Sequence, residues 1–423
     1  MNPTDQPSTA QTAASGIPDA RRRCVHLRAW SAVVASGVLA CTALLPAQAQ
    51  IGSTVPVRVG VVGPFTGPSA DFGVPMLNGI KLAVDEINAV GGYLGRPLEL
   101  VIKDDTADPD QGRKVSQELL NEKVVATIGF CNTGVALKAI DLFQGASSPL
   151  IVPCATGTAV TAKYPAPDSY IFRVQARDAI QAPFLVDDIV KRGWDKVAIF
   201  ADKTGYGEGG YNDVVAALAA KNLKPVHVAR FDLGVKDLTA ELTAARNAGA
   251  NVVYSYTVGP ENATIANGKK ALGWKVPQVG PWPLSFPFFL EGAKDAAEGA
   301  LMVQTFIAEP SNERRASFLS SYTRKYHGKV AVPMAAANAY DATHLAALAI
   351  QAAGSTDGDA VRQGFYKIEK YDGLIKTYNK PFSKADHEAL SAADFAFVKW
   401  SAGSLSRISD PVSKSLTAAD FKR

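Results

Sequence analysis

A repeated alternation of short β-branched runs with amphipathic helical segments is the feature that most constrains the fold of this chain. It predicts strands at residues 57–62, 98–102, 124–130 and 150–153, and helices at 76–87, 110–121 and 134–145. Strands that are separated by helices run parallel, and helices then cover both faces of the sheet. The chain is therefore predicted to be an α/β protein built on parallel sheets.

The same alternation starts again after residue 173. It predicts strands at 196–200, 225–231, 251–256 and 278–282, with helices at 208–221, 237–249 and 262–273. Two sets of similar length predict two sheets, one in each of two Rossmann-like lobes. The alternative, a single doubly wound sheet, would need about ten strands in one layer, which is uncommon.

The last part of the chain has a different pattern. A strand at 301–306 is followed by helices at 313–326, 335–353 and 357–366, and a late strand is predicted at 395–400. Helices without strands between them must pack on a layer that already exists. We expect them to return to the first lobe, so that the chain crosses between the lobes more than once.

The N-terminus predicts export. Four arginines at positions 21, 22, 23 and 28 precede an apolar run at 29–45, and the small-residue site Ala47-Gln48-Ala49 follows. This order is typical of a secretory signal peptide that is cut after Ala49. A membrane anchor is the alternative, but the run is at the short limit for a span. Lipid attachment at Cys41 is less well supported, because the apolar run continues beyond it.

The sequence offers little material for catalysis or for nucleic-acid binding. The formal net charge of +4 is close to neutral for 423 residues, whereas nucleic acid requires a clustered basic face. The five histidines show no metal-ligand spacing, and no nucleophile elbow, phosphate-binding loop or zinc-protease motif occurs. We predict a protein without enzymatic activity, metal or cofactor.

Three turns that follow predicted strands, at residues 65–69, 131–134 and 154–158, are candidate binding elements. In open parallel sheets, ligands bind beyond the carboxyl ends of the strands, where helix N-termini present unpaired N–H groups. Hydroxyls and amides there suit an anionic group. Ordinary helix capping by Asn132, Thr133 and Thr156 is an equally good interpretation of the same residues.

The ordered motifs of the chain resemble those of one family. VVGPFTGPS at 61–69, NAVGG at 88–92, DDTADP at 104–109 and DKTGYGEG at 202–209 are followed by AEG at 297–299, AYDA at 339–342 and DHE at 386–388. Over nearly all of the exported part, the chain is similar to type I periplasmic solute-binding proteins of the branched-chain amino acid (leucine/isoleucine/valine-binding) ABC-transporter family.

The resemblance implies two α/β lobes that are joined by three crossover strands and enclose a ligand. The expected first lobe comprises residues 50–172 and 306–390, and the second comprises 173–305 and 391–423, after a signal peptide at 1–49. It also implies a periplasmic monomer that delivers a small molecule to an ABC permease in the inner membrane. A receptor for a sensory system is the alternative role.

The resemblance further assigns ligand contacts. A carboxylate of the ligand is expected at the turns after the third and fourth strands, with aromatic side chains from Phe72 and, in the second lobe, Tyr206 around it. The residues carried over to the carboxylate are Asn132, Thr133, Ala155 and Thr156.

One departure from the family pattern concerns the ligand. Amino-acid binders of this type place an acid after a Gly-Pro pair in the second lobe to hold the ligand ammonium, but here Trp282 follows Gly280-Pro281. A buried ammonium without a counter-charge is costly. We therefore expect an acid with an aromatic or other apolar body, and Trp282 is expected to contact that body. An amino acid remains the alternative if Glu261 or Glu208 replaces the missing acid.

The two cysteines outside the predicted signal peptide are Cys131 and Cys154. Relatives with a disulfide use a cysteine where this chain has Ala107. Both cysteines follow neighbouring predicted strands, which lie about 4.8 Å apart in a sheet, and this distance suits a disulfide. We hypothesise that they are bonded, although the direction of their side chains is open at this stage.

Overall fold

The structure is a computed structural model that describes residues 55–93 and 95–416. These residues belong to one unit that starts at Gln50. The predicted signal peptide, with its cleavage site and Cys41, lies outside the described residues. Within the described residues, none of the helices combines the length and apolar character that crossing a bilayer requires.

Fourteen strands are formed in the described ranges. In chain order, β1 to β14 are Val57–Gly63, Leu98–Asp104, Ala126–Gly129, Leu150–Val152, Ile171–Arg173, Val197–Asp202, His227–Phe231, Val252–Tyr256, Gln278–Gly280, Leu301–Gln304, Lys370–Asp372, Thr377–Asn379, Ala396–Ser401 and Ser404–Arg407.

Thirteen α-helices accompany them in the same ranges. In chain order, α1 to α13 are Ala70–Ala89, Pro109–Asn121, Thr133–Gly145, Ala159–Ala162, Asp178–Lys191, Gly205–Ala219, Thr239–Asn247, Glu261–Ala271, Pro287–Ala293, Glu313–Tyr326, Pro333–Ala353, Gly358–Tyr366 and Pro411–Ser415.

The first sheet contains five parallel strands in the order β2-β1-β3-β4-β5. In strand β1, which is paired on both sides, Val59 lies opposite Leu100 of β2 and Ala126 of β3. All but one of the residues of β1 are buried, as expected for a strand that helices cover on both faces. The predicted parallel α/β fold is confirmed here.

The second sheet contains seven strands in the order β14-β13-β10-β9-β8-β6-β7. Strands β6 to β10 are parallel, whereas β13 runs antiparallel to β10 and β14 antiparallel to β13. The antiparallel edge was not predicted. The pairing of β14 with β13 follows from the tight turn at Ala402-Gly403, because a two-residue connection joins only antiparallel strands.

Helices α10 to α12 pack against the first sheet's layer. Helix α11 runs along α1, and both contribute to the same hydrophobic core as β1. A Cβ atom at Gly79 of α1 would lie 2.1 Å from the carbonyl oxygen of Ala336, so this close approach of the helices requires glycine. The chain changes sheets after β5, again after β10, and once more before β13.

Lys269 of α8 is a buried lysine whose side-chain ammonium makes no hydrogen bond or ion pair to the described residues, and burial lowers its pKa to about 7. Between about pH 7 and pH 10.4, the Lys269 side chain is therefore protonated in the unfolded chain but deprotonated in the folded chain. The stability contributed by this group rises with pH across that window and is lowest below pH 7.

We expect Lys269→Met to raise the free energy of unfolding by about 2 kcal/mol near pH 6.5, because no charge then has to be buried. Urea unfolding at pH 6.5, 8 and 10 should show the gain shrinking as pH rises. Lys270→Met is the matched control, since Lys270 is exposed and pairs with Asp295. A gain that stays constant with pH would contradict this account of Lys269.

Candidate functional site

A cavity of about 460 Å³ lies between the loops that follow the strands of the two sheets. Loops after β1 to β4 form one wall, and loops after β6 to β9 form the other. Both walls lie at carboxyl ends of parallel strands, where open α/β sheets bind ligands. The polar and aromatic side chains on the walls belong to Ser69, Asn132, Thr133, Thr156, Thr204, Tyr206, Glu261 and Trp282.

The N-terminus of α3 forms the first wall. Asn132 occupies the cap position, but its side chain does not cap the helix and its Nδ2 donates to Ser69 Oγ at 3.1 Å. Thr133 Oγ1 accepts a hydrogen bond from the Gly157 amide at 3.1 Å. Since the first N–H groups of an α-helix have no partner inside it, this end of α3 offers donors to an anion.

Thr156 lies on the same wall, in front of a buried acid. Its Oγ1 neighbours the Asp178 carboxyl but makes no hydrogen bond of normal geometry. Burial raises the pKa of Asp178 to about 7, although Tyr256 and Thr156 favour its charged form. Asp178 is therefore only partly ionised at neutral pH, and Thr156 is not opposed by a full negative charge.

The second wall carries Tyr206 and Trp282. Tyr206 lies in the first turn of α6, and its ring packs on Tyr256 with centroids 4.8 Å apart. Trp282 follows β9 and is 3% exposed. Its ring meets Phe286 and Phe72 edge-on, at centroid distances of 4.8 and 6.3 Å. The indole is thus fixed by packing, and Nε1 of Trp282 has no hydrogen-bond partner among the described residues.

The two walls come together at a pair of glycines. A Cβ atom added to Gly205, the first residue of α6, would lie only 3.0 Å from the Cα atom of Gly134 in α3. A larger residue at position 205 would push the helices apart. The N-termini of α3 and α6 therefore meet beside the cavity at a contact that favours glycine at position 205.

Glu261 is the one carboxylate on the described cavity walls, and these walls carry no lysine, arginine or histidine. Glu261 is 1% exposed, and its Oε1 accepts from the Gly234 amide at 2.6 Å. Thr257 Oγ1 lies 3.5 Å from the other oxygen. Glu208 is not on the walls and pairs with Arg230 at 2.6 Å instead. Of the two acids that could replace the one missing after Gly280-Pro281, only Glu261 lies on the cavity wall, where a ligand ammonium could reach it.

Two expected contact residues do not line the cavity. Phe72 is buried, stacks on Phe286 at 4.9 Å and meets the Trp282 ring edge-on. Ala155 is also buried: its amide donates to the Phe130 carbonyl, and its own carbonyl accepts from Arg173. Phe72 lies inside helix α1 and Ala155 lies in the turn after β4, and neither is among the residues that line the cavity.

Several lining residues were not singled out from the sequence as contacts. Ser69 was part of a candidate turn only, and the turns after β7 and β8 were not considered. They could have been predicted by the rule that was applied to the first lobe, that ligands bind at turns after the carboxyl ends of parallel strands. The residues concerned are Leu233, Gly234, Val258, Gly259 and Pro260.

Cys131 and Cys154 form a disulfide in the structure, with Cα atoms 4.5 Å apart. They follow the neighbouring strands β3 and β4, so their side chains meet at the sheet edge beside the cavity. The bond ties the turn that carries Asn132 to the turn that carries Thr156. No cluster of three or more potential metal ligands occurs at residues 55–93 or 95–416.

The chain matches known proteins over most of its length. The periplasmic binding protein family matches residues 56–404. Leu/Ile/Val-binding protein homolog 3 of Brucella melitensis is 28% identical over 351 residues, which cover 82% of this chain and 92% of that protein. The leucine-, isoleucine-, valine-, threonine-, and alanine-binding protein of Pseudomonas aeruginosa is 28% identical over 311 residues, which cover 73% and 81%.

Solved structures share the fold. The branched-chain amino acid transporter substrate-binding protein of Streptococcus pneumoniae, in complex with isoleucine, has a TM-score of 0.71 at 24% identity and covers 83% of this chain and 97% of its own. An ABC-transporter solute-binding protein of R. palustris, in complex with 4-hydroxybenzoate, has a TM-score of 0.71 at 22% identity and covers 84% and 96%. With two α/β sheets around one cavity and a family match over residues 56–404, this chain belongs to the periplasmic binding protein family, among relatives of the Leu/Ile/Val-binding proteins.

Proposed function

We propose that this protein is the periplasmic solute-binding subunit of an ABC importer and that its ligand is a small carboxylate with an aromatic or other apolar body. The observation that carries the ligand class is Trp282, a packed indole on the wall opposite Thr133 and Thr156. Large flat side chains provide contact area and edge-to-face packing for a ring.

The first wall suits the carboxylate end of such a ligand. The N-terminus of α3 and the hydroxyls of Thr133 and Thr156 supply neutral donors, and a helix N-terminus favours an anion. Neutral donors suffice in this proposal, because the partial positive charge of the helix end replaces a basic side chain. Ala155 and Phe72 take part only by supporting these groups.

An α-amino acid fits less well. Its ammonium would have to share Glu261, whose carboxylate already accepts from the Gly234 amide. A charge that is buried without full pairing is costly. Relatives named for leucine, isoleucine and valine favour an amino acid, whereas the R. palustris protein that holds 4-hydroxybenzoate favours an aromatic acid. The indole at position 282 supports the aromatic acid in our proposal.

Transport would follow from closure of two lobes, which we place at residues 50–172 with 306–390 and at 173–305 with 391–423. The ligand meets the first lobe, and closure adds Tyr206 and Trp282. A ligand that touches both walls favours the closed form by its differential affinity alone. An inner-membrane permease would recognise that form. The protein performs no chemistry on the ligand in this proposal and requires no cofactor.

A thermal-shift screen of the purified protein tests the ligand class. Benzoate, 4-hydroxybenzoate and phenylacetate should raise the melting temperature, since a ligand that binds only the folded state stabilises it by mass action. Leucine, isoleucine and valine should have little effect. Stabilisation by the amino acids alone would assign the ammonium to Glu261 and overturn our interpretation of Trp282.

We expect Thr156→Val to weaken binding of every carboxylate ligand about tenfold, because it removes one hydrogen-bond donor at constant shape, worth about 1.4 kcal/mol. Titration calorimetry with benzoate and phenylacetate measures the loss. Thr377→Val on the exposed side of β12 is the matched control and should bind as the wild type does. Unchanged affinity in Thr156→Val would remove Thr156 from the carboxylate site.

A further inference from the structure

Arg173 is a fully buried arginine at the end of β5, where the chain leaves the first sheet. Burial lowers its pKa, and the nearby Glu388 carboxylate acts in the opposite direction. A buried guanidinium is costly unless it is paired and hydrogen-bonded. Its partners therefore indicate what the residue is for.

Those partners hold both sides of Thr156. Arg173 Nη1 donates to the Ala155 carbonyl at 3.2 Å, and Nη2 donates to the Gly157 carbonyl at 2.8 Å. The two carbonyls belong to the residues directly before and after Thr156. Because the guanidinium is planar and rigid, two bonds from one group fix the orientation of this turn.

Glu388 completes the arrangement from another part of the chain. Its Oε1 lies 3.8 Å from Arg173 Nε, and its Oε2 accepts from Arg177 Nη1 at 2.9 Å. Thr161 donates to Glu388 and accepts from Arg173. The backbones are also paired, since the Arg173 amide donates to the His387 carbonyl at 2.9 Å. Two of the segments that pass between the sheets thus meet at this ion pair.

The turn that carries Thr156 continues to Thr158, which contacts helix α6 beside the second sheet. Thr158 Oγ1 donates to Asp213 of α6 at 2.7 Å, and it accepts from the Ala179 amide at 2.8 Å. Helix α6 carries Tyr206 of the opposite wall. A shift of the turn would therefore disturb the carboxylate wall and its contact with α6 together.

We infer that Arg173, charge-paired with Glu388, is a positioning residue that presents Thr156 to the ligand from the junction between the two sheets. The inference rests on the proposed role of Thr156 in carboxylate binding. Arg173 does not line the cavity and acts only through the turn at residues 155–157. Ligand affinity should therefore depend on a residue that never touches the ligand.

Arg173→Lys is the informative variant, because lysine keeps the charge near Glu388 but cannot hold both carbonyls in one plane. We expect benzoate affinity, measured by calorimetry well below the melting temperature, to fall by up to about tenfold, because the whole Thr156 contact is expected to contribute about that much. In a Thr156→Val background the same substitution should cost less than twofold, since the contact that it positions is already absent.

Tyr378→Phe controls for a purely structural effect, since Tyr378 donates to the buried Asp341 at 3.0 Å and does not line the cavity. It should lower the melting temperature and leave affinity unchanged. Wild-type affinity in Arg173→Lys, or losses that multiply in the double variant, would overturn the inference. Wild-type protein that binds no carboxylate, or an unaffected Thr156→Val variant, would instead contradict the proposed function.

Glu388→Gln provides a second route if Arg173→Lys does not fold. It keeps the shape of the side chain and can still hydrogen-bond to Thr161 and Arg177, but it leaves the Arg173 charge without its counter-charge. We expect a two- to fivefold loss of benzoate affinity, which should again disappear in the Thr156→Val background. An unchanged affinity in a folded Glu388→Gln variant would mean that the ion pair does not position the turn.

Discussion

Replacing Trp282 with alanine should weaken the binding of aromatic acids about a hundredfold, which corresponds to about 2.7 kcal/mol. The indole is 3% exposed and lies on the wall opposite Thr156, together with Leu233, Val258 and Pro283. Removing it costs the ligand ring its contact area and edge-to-face packing. It also frees Phe72 and Phe286, whose rings now pack against it, to move into the space.

Titration calorimetry with benzoate, phenylacetate and acetate separates this effect from a general loss of structure. Acetate has no ring, so its weak binding should change little, whereas the two aromatic acids should lose most of their affinity. Trp274→Ala is the matched control, because Trp274 is partly buried in the α8–β9 connection and does not line the cavity. Equal losses for acetate and benzoate in Trp282→Ala would show that Trp282 does not select the ring.

The strand and helix pattern could be predicted from the sequence where the apolar periodicity is uninterrupted. Strands β1 to β4 and β6 to β10 follow from β-branched runs, and their parallel pairing follows from the helices between them. Strand β5, Ile171–Arg173, was not predicted from the sequence. Helix α5 was missed because buried acids such as Asp187 and Asp188 interrupt its apolar face. Their partners, Lys221 and Arg192, become apparent only in the folded structure.

The candidate site could be predicted as far as backbone topology determines it. Asn132, Thr133, Thr156, Tyr206 and Trp282 all follow strand ends, and the structure brings them around one cavity. What these residues bind remains our proposal. Side-chain partners across the sequence could not be predicted in the same way.

Glu261 illustrates this limit. Its carboxylate accepts from the Gly234 amide, which lies 27 positions away along the chain. The sequence alone presented Glu261 and Glu208 as equivalent replacements for the missing acid. Only the folded chain separates them, because α6 directs Glu208 toward Arg230 while α8 begins at the cavity with Glu261.

Asp341 of α11 is a fully buried carboxylate that holds the hairpin β11–β12 against the helix. Its Oδ1 accepts from the Leu374 amide at 2.8 Å. Its Oδ2 accepts from the Ile375 amide and the Tyr378 hydroxyl, each at 3.0 Å. Burial raises the pKa of Asp341, and these three donors act against that shift. The motif AYDA, which contributed to the family resemblance, thus has a structural role at its aspartate.

Asp341→Ala should lower the free energy of unfolding by about 4 kcal/mol, because two backbone amides and a tyrosine hydroxyl lose their acceptor in a dry interior. Chemical denaturation measures the loss, and a melting temperature about 10 °C lower should accompany it.

Asp341→Asn keeps one acceptor and should lose about half as much, whereas Asp372→Ala on the exposed face of β11 should change little. Benzoate affinity of the folded Asp341→Asn variant should stay at the wild-type value, since Asp341 does not line the cavity. A loss below about 1 kcal/mol in Asp341→Ala would mean that the amides of Leu374 and Ile375 find water or other acceptors, and that the hairpin does not depend on this carboxylate.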